Sequence, residues 1–234
     1  MKCIERLVSV ATSYQLWYLI RMKFKRLVET VGDEPVFESS LLLAGDVDPA
    51  DLRKQLSRWT RSGLLYQLRR GLYALAPPLQ KIKPHPFLVA NHLVRASYVS
   101  GQSALAHYAL IPEHVPAVTS VTTARPGRWE TPLGRYEFRH VRPDLFFGYQ
   151  QLALSQGQRA YVATPEKALL DLIYLQASGD SLAYLNELRL QNLDRLNLEE
   201  LARHAERAGS PKLGRAAARV IDMARAEAAE YRTL

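Results

Sequence analysis

Cysteine is almost absent from this 234-residue chain: Cys3 stands alone, so no intrachain disulfide and no cysteine-based zinc site can form. Long apolar runs are missing too. The stretch Leu16 to Leu27 is broken by Arg21, Lys23, Lys25 and Arg26, well short of the roughly 18 apolar residues a spanning helix needs. No apolar run near the start leads to a small-residue cleavage site, so no signal peptide is expected and a cytoplasmic location is.

The motifs of several enzyme classes are also lacking. There is no G-x-x-x-x-G-K-[ST] loop for phosphates and no dinucleotide-binding G-x-G-x-x-G. The six histidines (His85, His92, His107, His114, His140 and His204) form no H-E-x-x-H pair. No Asp or Glu is followed two positions later by Lys, as a metal-dependent nuclease often has it. Asp46 and Asp48 have the carboxylate spacing of a nucleotidyltransferase but no preceding Gly-Ser, and Asp48 reads as a helix cap. Glu166 is expected in a first helical turn and Asp171 at a surface or helix–helix contact. Ser103 and His107 are four apart without a third partner. The expectation is a protein that is not an enzyme, with no cofactor and no metal.

What is present is positive charge. The formal net charge is +8 and the pI about 9.6, which favours polyanionic partners. The balance of 47% hydrophobic and 23% charged residues is that of a folded chain. Apolar positions from Ile4 to Val31 recur at helical spacing, and Gly32-Asp33-Glu34-Pro35 stops that pattern. Val36 to Ala44 reads as a strand residue or two and a small helix ending at Gly45.

The clearest helix start follows. Asp48 suits the N-cap, Pro49 the first helical position and Asp51 the positive end of the dipole. Leu52, Leu56 and Trp59 recur as the buried stripe, and Gly63 ends the helix. Lys54, Ser57, Arg58 and Arg61 then fall on the opposite face, with Arg53 and Gln55 on its flanks. Two β-prone runs, Leu64–Leu68 and Leu72–Leu75, are joined at Arg69-Arg70-Gly71, a hairpin with a basic tip. Between Arg53 and Gly71 there are six basic residues and no Asp or Glu.

Helix, turn, helix and basic hairpin is the order of a winged helix-turn-helix. Its DNA-binding set is Arg53, Lys54, Gln55, Ser57, Arg58, Arg61, Arg69 and Arg70. Lys54, Arg69 and Arg70 are expected on phosphates, and Arg58, Arg61 and Gln55 on base edges.

Pro77-Pro78 and Lys83-Pro84-His85-Pro86 read as a linker, which gives domains of residues 1–80 and 81–234. The second is expected to be mixed α+β. Helices are predicted over Phe87–Ala96 and Ser103–Ala109, with another from Pro165 to Leu175 capped by Thr164. Strands are predicted over Val118–Thr123, Arg135–Val141, Leu145–Leu152 and Arg159–Ala163. The chain then reads as helical from Asp180 to its end. Phe146, Phe147 and Tyr149 with Tyr136 and Phe138 could form a stacking platform on that sheet, although such residues more often form core. The C-terminal arginines Arg215, Arg219 and Arg225 could bind nucleic acid or a toxin, but the default reading is a solvated amphipathic helix face.

The segment Leu56-Ser57-Arg58-Trp59-Thr60-Arg61-Ser62-Gly63-Leu64-Leu65, followed by Leu68-Arg69-Arg70-Gly71-Leu72-Tyr73-Ala74-Leu75, resembles the AbiEi antitoxins of type IV toxin–antitoxin systems. Ser100-Gly101-Gln102-Ser103-Ala104-Leu105 and Thr164-Pro165-Glu166-Lys167-Ala168-Leu169-Leu170-Asp171-Leu172 are similar to that family as well. The resemblance spans roughly residues 35 to 230. It implies an autorepressor that binds promoter repeats, with the winged helix on double-stranded operator DNA and a dimer compatible with such repeats. It implies a C-terminal domain that counters a nucleotidyltransferase-like toxin. By motif position it makes Arg58, Arg61, Arg69 and Arg70 the DNA-facing residues. Two other classes fit the bare sequence: a winged helix that grips a protein partner, and a nucleic-acid-modifying enzyme with its site in residues 85–234.

Overall fold

The computed structural model describes residues 24–43, 47–112 and 115–232. The expected helix over residues 4–23, the end of the small helix at Ala44 and Gly45, Asp46 and His114 lie outside them. The chain is mixed α+β and falls into two compact units that divide between Pro84 and His85. No helix among the described residues is long and apolar enough to cross a membrane.

In the first unit, helix α1 (Phe24–Val31) buries Leu27 and Val31, one turn apart. Gly32, at φ +59°, releases the chain from it. Strand β1 (Phe37–Glu38) leads into a 3-10 turn over Ser39–Leu43. Helix α2 (Pro49–Arg61) begins where its cap chemistry dictates: the Asp48 carboxylate accepts from Ala50 N at 2.8 Å, and Pro49 needs no partner for a missing N–H. Strands β2 (Leu65–Arg69) and β3 (Leu72–Leu75) form a tight hairpin through Arg70 and Gly71, the latter at φ +83° where a side chain would be strained. The sheet order is β1-β3-β2, all antiparallel. Leu27, Val31, Leu42, Leu52, Leu56, Trp59 and Leu65 make the core beneath it, and Phe24 meets Trp59 edge-on at 5.3 Å.

The second unit is built on a six-stranded mixed sheet in the order β6-β7-β5-β4-β9-β8. Its elements are α3 (Pro86–Leu93), β4 (Ser97–Val99), α4 (Gly101–His107), β5 (Ala117–Thr122), β6 (Gly127–Thr131), β7 (Gly134–His140), β8 (Tyr149–Ala153) and β9 (Arg159–Ala163). Four helices follow: α5 (Pro165–Leu175), α6 (Leu182–Glu187), α7 (Leu198–Arg207) and α8 (Pro211–Arg232). The pairs β4–β9 and β5–β7 are parallel and the other three antiparallel. Thr164 caps α5 by accepting from Lys167 N, and Pro165 takes the first turn.

Several boundaries differ from expectation, each for a local reason. The helix predicted to Ala96 ends at Leu93, because Ala96 adopts φ +53° to turn the chain into β4. The strand predicted from Leu145 begins at Tyr149, because Pro143–Leu145 is a 3-10 turn and Gly148 sits at φ +70°. Strands β4 and β6 add to the predicted set. The first has only three residues, and the second carries Arg128 and Glu130 on an edge.

Candidate nucleic-acid interface

Helix α2 separates its residues by angle. Leu52, Leu56 and Trp59 are buried at 2%, 1% and 5% exposure, whereas Arg53, Lys54, Ser57, Arg58 and Arg61 are exposed. Lys54, Arg58 and Arg61 follow one another at i, i+4 and i+7 and, with Ser62, line an open hollow on the surface of the unit. The Arg61 guanidinium donates to Ser57 Oγ at 3.3 Å, which holds it along the helix. Lys54 Nζ lies 3.4 Å from the Asp51 carboxylate, an exposed pair whose attraction salt and water largely screen. Arg53, Arg58 and Arg70 have no acidic partner among the described residues.

Two of the expected contact residues are placed otherwise. Gln55 is a correction: it is 3% exposed, and its Oε1 has no hydrogen-bond partner among the described residues. It lies roughly 60° round the helix from Leu52, inside the arc of more than 100° that a packed helix buries. It is therefore a core residue and does not reach solvent. Arg69 is the second case. Its side chain reaches across Leu72 to Glu38 on β1 at 3.2 Å, and a further N–H donates to Arg70 O at 3.1 Å. Both partners in that ion pair are largely shielded, so Arg69 ties β2 to β1 across the sheet. At the hairpin tip Arg70 is exposed.

The second unit holds the titratable groups that the sequence set aside. For Asp171, expected at a surface or helix–helix contact, the surface alternative is corrected, since it is 2% exposed. It forms an ion pair with Lys167, one turn earlier on α5 and equally buried. Ser100 Oγ donates to the same carboxylate at 2.7 Å and Tyr98 Oη at 3.0 Å; Tyr98 Oη in turn accepts from Lys167 Nζ at 3.0 Å. Burial pushes the Asp171 carboxyl up and is opposed by Lys167 and the two hydroxyls; burial pushes the Lys167 ammonium down and is opposed by Asp171. Nothing reaches this quartet from solvent, so it locks β4 to α5. The Lys167–Asp171 spacing of i,i+4 on a helix is a signal that could have found the pair. The hydroxyls come from about 70 residues upstream.

The other candidates separate. Glu166 Oε1 accepts from Asn197 N at 2.8 Å and anchors the start of α7. Asp144 pairs with Arg142 at the surface. Ser103 Oγ bridges the β5 backbone, accepting from Thr119 N and donating to Ala117 O, while His107 packs on Phe87 and Tyr108. Tyr136, Phe138 and Phe147 are buried and Tyr149 is exposed, so the five aromatic residues do not share an open platform. Arg215 and Arg219 both bind Asp180, at its carboxylate and its carbonyl. Among the described residues no three His, Cys, Asp or Glu side chains come together to hold a metal ion.

No protein-family model matches the chain, and no curated protein matches it.

Proposed function

We propose that the first unit is a winged helix-turn-helix that binds double-stranded DNA, with α2 as the helix in the major groove and the β2–β3 hairpin as the wing. One observation carries this: the outward face of α2 presents Lys54, Arg58 and Arg61 around an open hollow, and no acidic residue lies anywhere between Arg53 and Gly71. Arginines left without counter-charge beside a lysine on one helix face suit a regular array of phosphates lining a groove. Arg53, Lys54 and Arg70 then contact the backbone and set the register, while Arg58 and Arg61 reach base edges. Arg69 supports the wing through Glu38, and Gln55 supports the core.

The order of elements agrees with this role. The 3-10 turn at Ser39–Leu43 precedes α2 as the first helix of the pair, and β1 adds the third strand that braces the hairpin. On this reading, and with the resemblance to AbiEi antitoxins, the chain is the autorepressor of a toxin–antitoxin operon that acts by binding and not by turnover. The second unit, with its interior locked by Lys167 and Asp171, is the part that counters a nucleotidyltransferase-like toxin.

The test is a gel-shift titration of the full chain on the DNA upstream of its own gene, beside a scrambled duplex. Preferential retention of the upstream DNA that weakens steeply with salt supports the repressor. Equal or absent retention of the two duplexes contradicts it and transfers the role of α2 to a protein partner.

A further inference from the structure

We infer that the face of α2 reads guanine, at two positions one or two base steps apart. This rests on the DNA-binding role proposed above and follows from which hydrogen-bonding groups α2 leaves available. In the major groove, guanine offers two acceptors, N7 and O6. Adenine offers an acceptor beside a donor, cytosine a donor, and thymine one acceptor and a methyl group. A bidentate match to adenine therefore needs an amide, and a match to cytosine needs an acceptor.

Helix α2 has withdrawn both kinds of group. Its one amide, Gln55, is buried in the core. Its one carboxylate, Asp51, is in the first turn and engaged by Lys54. The Ser57 hydroxyl accepts from Arg61, and the Thr60 hydroxyl donates back to Leu56 O at 2.9 Å. The long side chains that remain outward, Arg53, Lys54, Arg58 and Arg61, carry donors and no acceptor, and the short exposed Ser57 hydroxyl already accepts from Arg61. A donor-only face matches guanine with two bonds, meets adenine or thymine with one, and opposes the cytosine amine with like polarity.

Arg58 and Arg61 are the pair placed for this. They sit three residues apart on one face, about 4.5 Å along the helix axis, against a rise of about 3.4 Å per base step. Arg61 commits one N–H to Ser57 and keeps four. Lys54, one turn before Arg58, borders the same hollow and brings a point charge that suits a phosphate better than a base edge.

The experiment is a selection of the full chain on a randomised duplex library at fixed salt. It is followed by 7-deazaguanine substitution, which removes N7 alone, at each guanine of the selected site. The expected result is an enriched site with two guanines within two steps, each weakening binding about tenfold when replaced by its 7-deaza form. Arg58→Ala, which removes the donors altogether, should abolish the preference at one guanine. In that variant 7-deaza substitution at the same guanine should have no further effect. Enrichment of sites free of guanine, indifference to 7-deazaguanine, or salt-sensitive binding without any base preference would each overturn guanine readout and leave DNA binding standing. Failure to retain any duplex at low salt overturns DNA binding itself, and guanine readout with it.

Discussion

The two units differ in how they balance their charge. Residues 1–84 hold 14 Lys and Arg against 8 Asp and Glu, and residues 85–234 hold 17 against 15. In the second unit, where the two signs nearly balance, Arg128 and Arg139 pair with Glu137, Arg142 with Asp144, Arg203 with Glu200 and Arg215 with Asp180. Lys167 is taken inside with Asp171. In the first unit Lys25, Lys54, Arg69 and Lys81 also have acidic partners, but Arg53, Arg58 and Arg70 stand exposed without one among the described residues. Exposed pairs contribute little to stability, so the surface pairing of the second unit chiefly neutralises its field. The one-signed face of α2 leaves a field that an external polyanion can satisfy.

The comparison breaks most sharply at Asp171. Asp171→Ala leaves Lys167 buried without its counter-charge and should cost about 3–5 kcal/mol in urea unfolding. Replacing both partners, as Lys167→Met with Asp171→Leu, should recover much of that loss. Equal loss in the single and double variants would show that the quartet matters for packing and not for charge.

Next in size is Arg58→Ala, which should weaken binding to a selected duplex by about 1–3 kcal/mol while moving stability by less than about 0.5 kcal/mol. A melting shift as large as the binding loss would mean that Arg58 belongs to the fold.

A smaller effect is expected at His204. Burial holds this imidazole below its ordinary value and outweighs the pull of Glu200 and Glu166; Lys167 and Arg203 push the same way as burial. The unfolded chain therefore binds the proton more tightly than the folded one. Stability should fall as pH drops below about 6.5, by at most about 1.4 kcal/mol per pH unit. In His204→Gln that slope should flatten, and an unchanged slope between pH 7.5 and 5.5 would place its origin elsewhere.

The smallest change concerns Gln55. Gln55→Leu removes a buried carbonyl without a partner and should be neutral or stabilising by up to about 1 kcal/mol, with DNA binding unaltered. Weaker binding in Gln55→Leu would restore it to the interface.

Much of α2 was legible from the chain, because its signals are local. Asp48-Pro49 starts the helix, Leu52, Leu56 and Trp59 space its buried stripe, and Gly71 supplies the turn that joins β2 to β3. Thr164-Pro165 announced α5 in the same way. The misplacements all involve distant partners. Burial of Gln55 depends on what packs against one flank of α2, which periodicity cannot locate to within one residue. Arg69 is claimed by Glu38, 31 residues earlier, through a strand pairing that no local pattern encodes. Ser100 and Tyr98 meet Asp171 only because β4 lies next to β9 in a parallel pair, and a three-residue strand leaves little periodicity to detect.

The most direct test of the DNA-binding assignment is the salt dependence of duplex affinity, measured for the full chain and for a variant with Arg53, Lys54 and Arg70 all changed to Ala. The account predicts that log Kd against log salt is steep for the parent chain and shallower by about 3 for the variant, because each of the three side chains neutralises one phosphate. An identical slope in the two proteins, or no duplex binding by the parent at low salt, would contradict it.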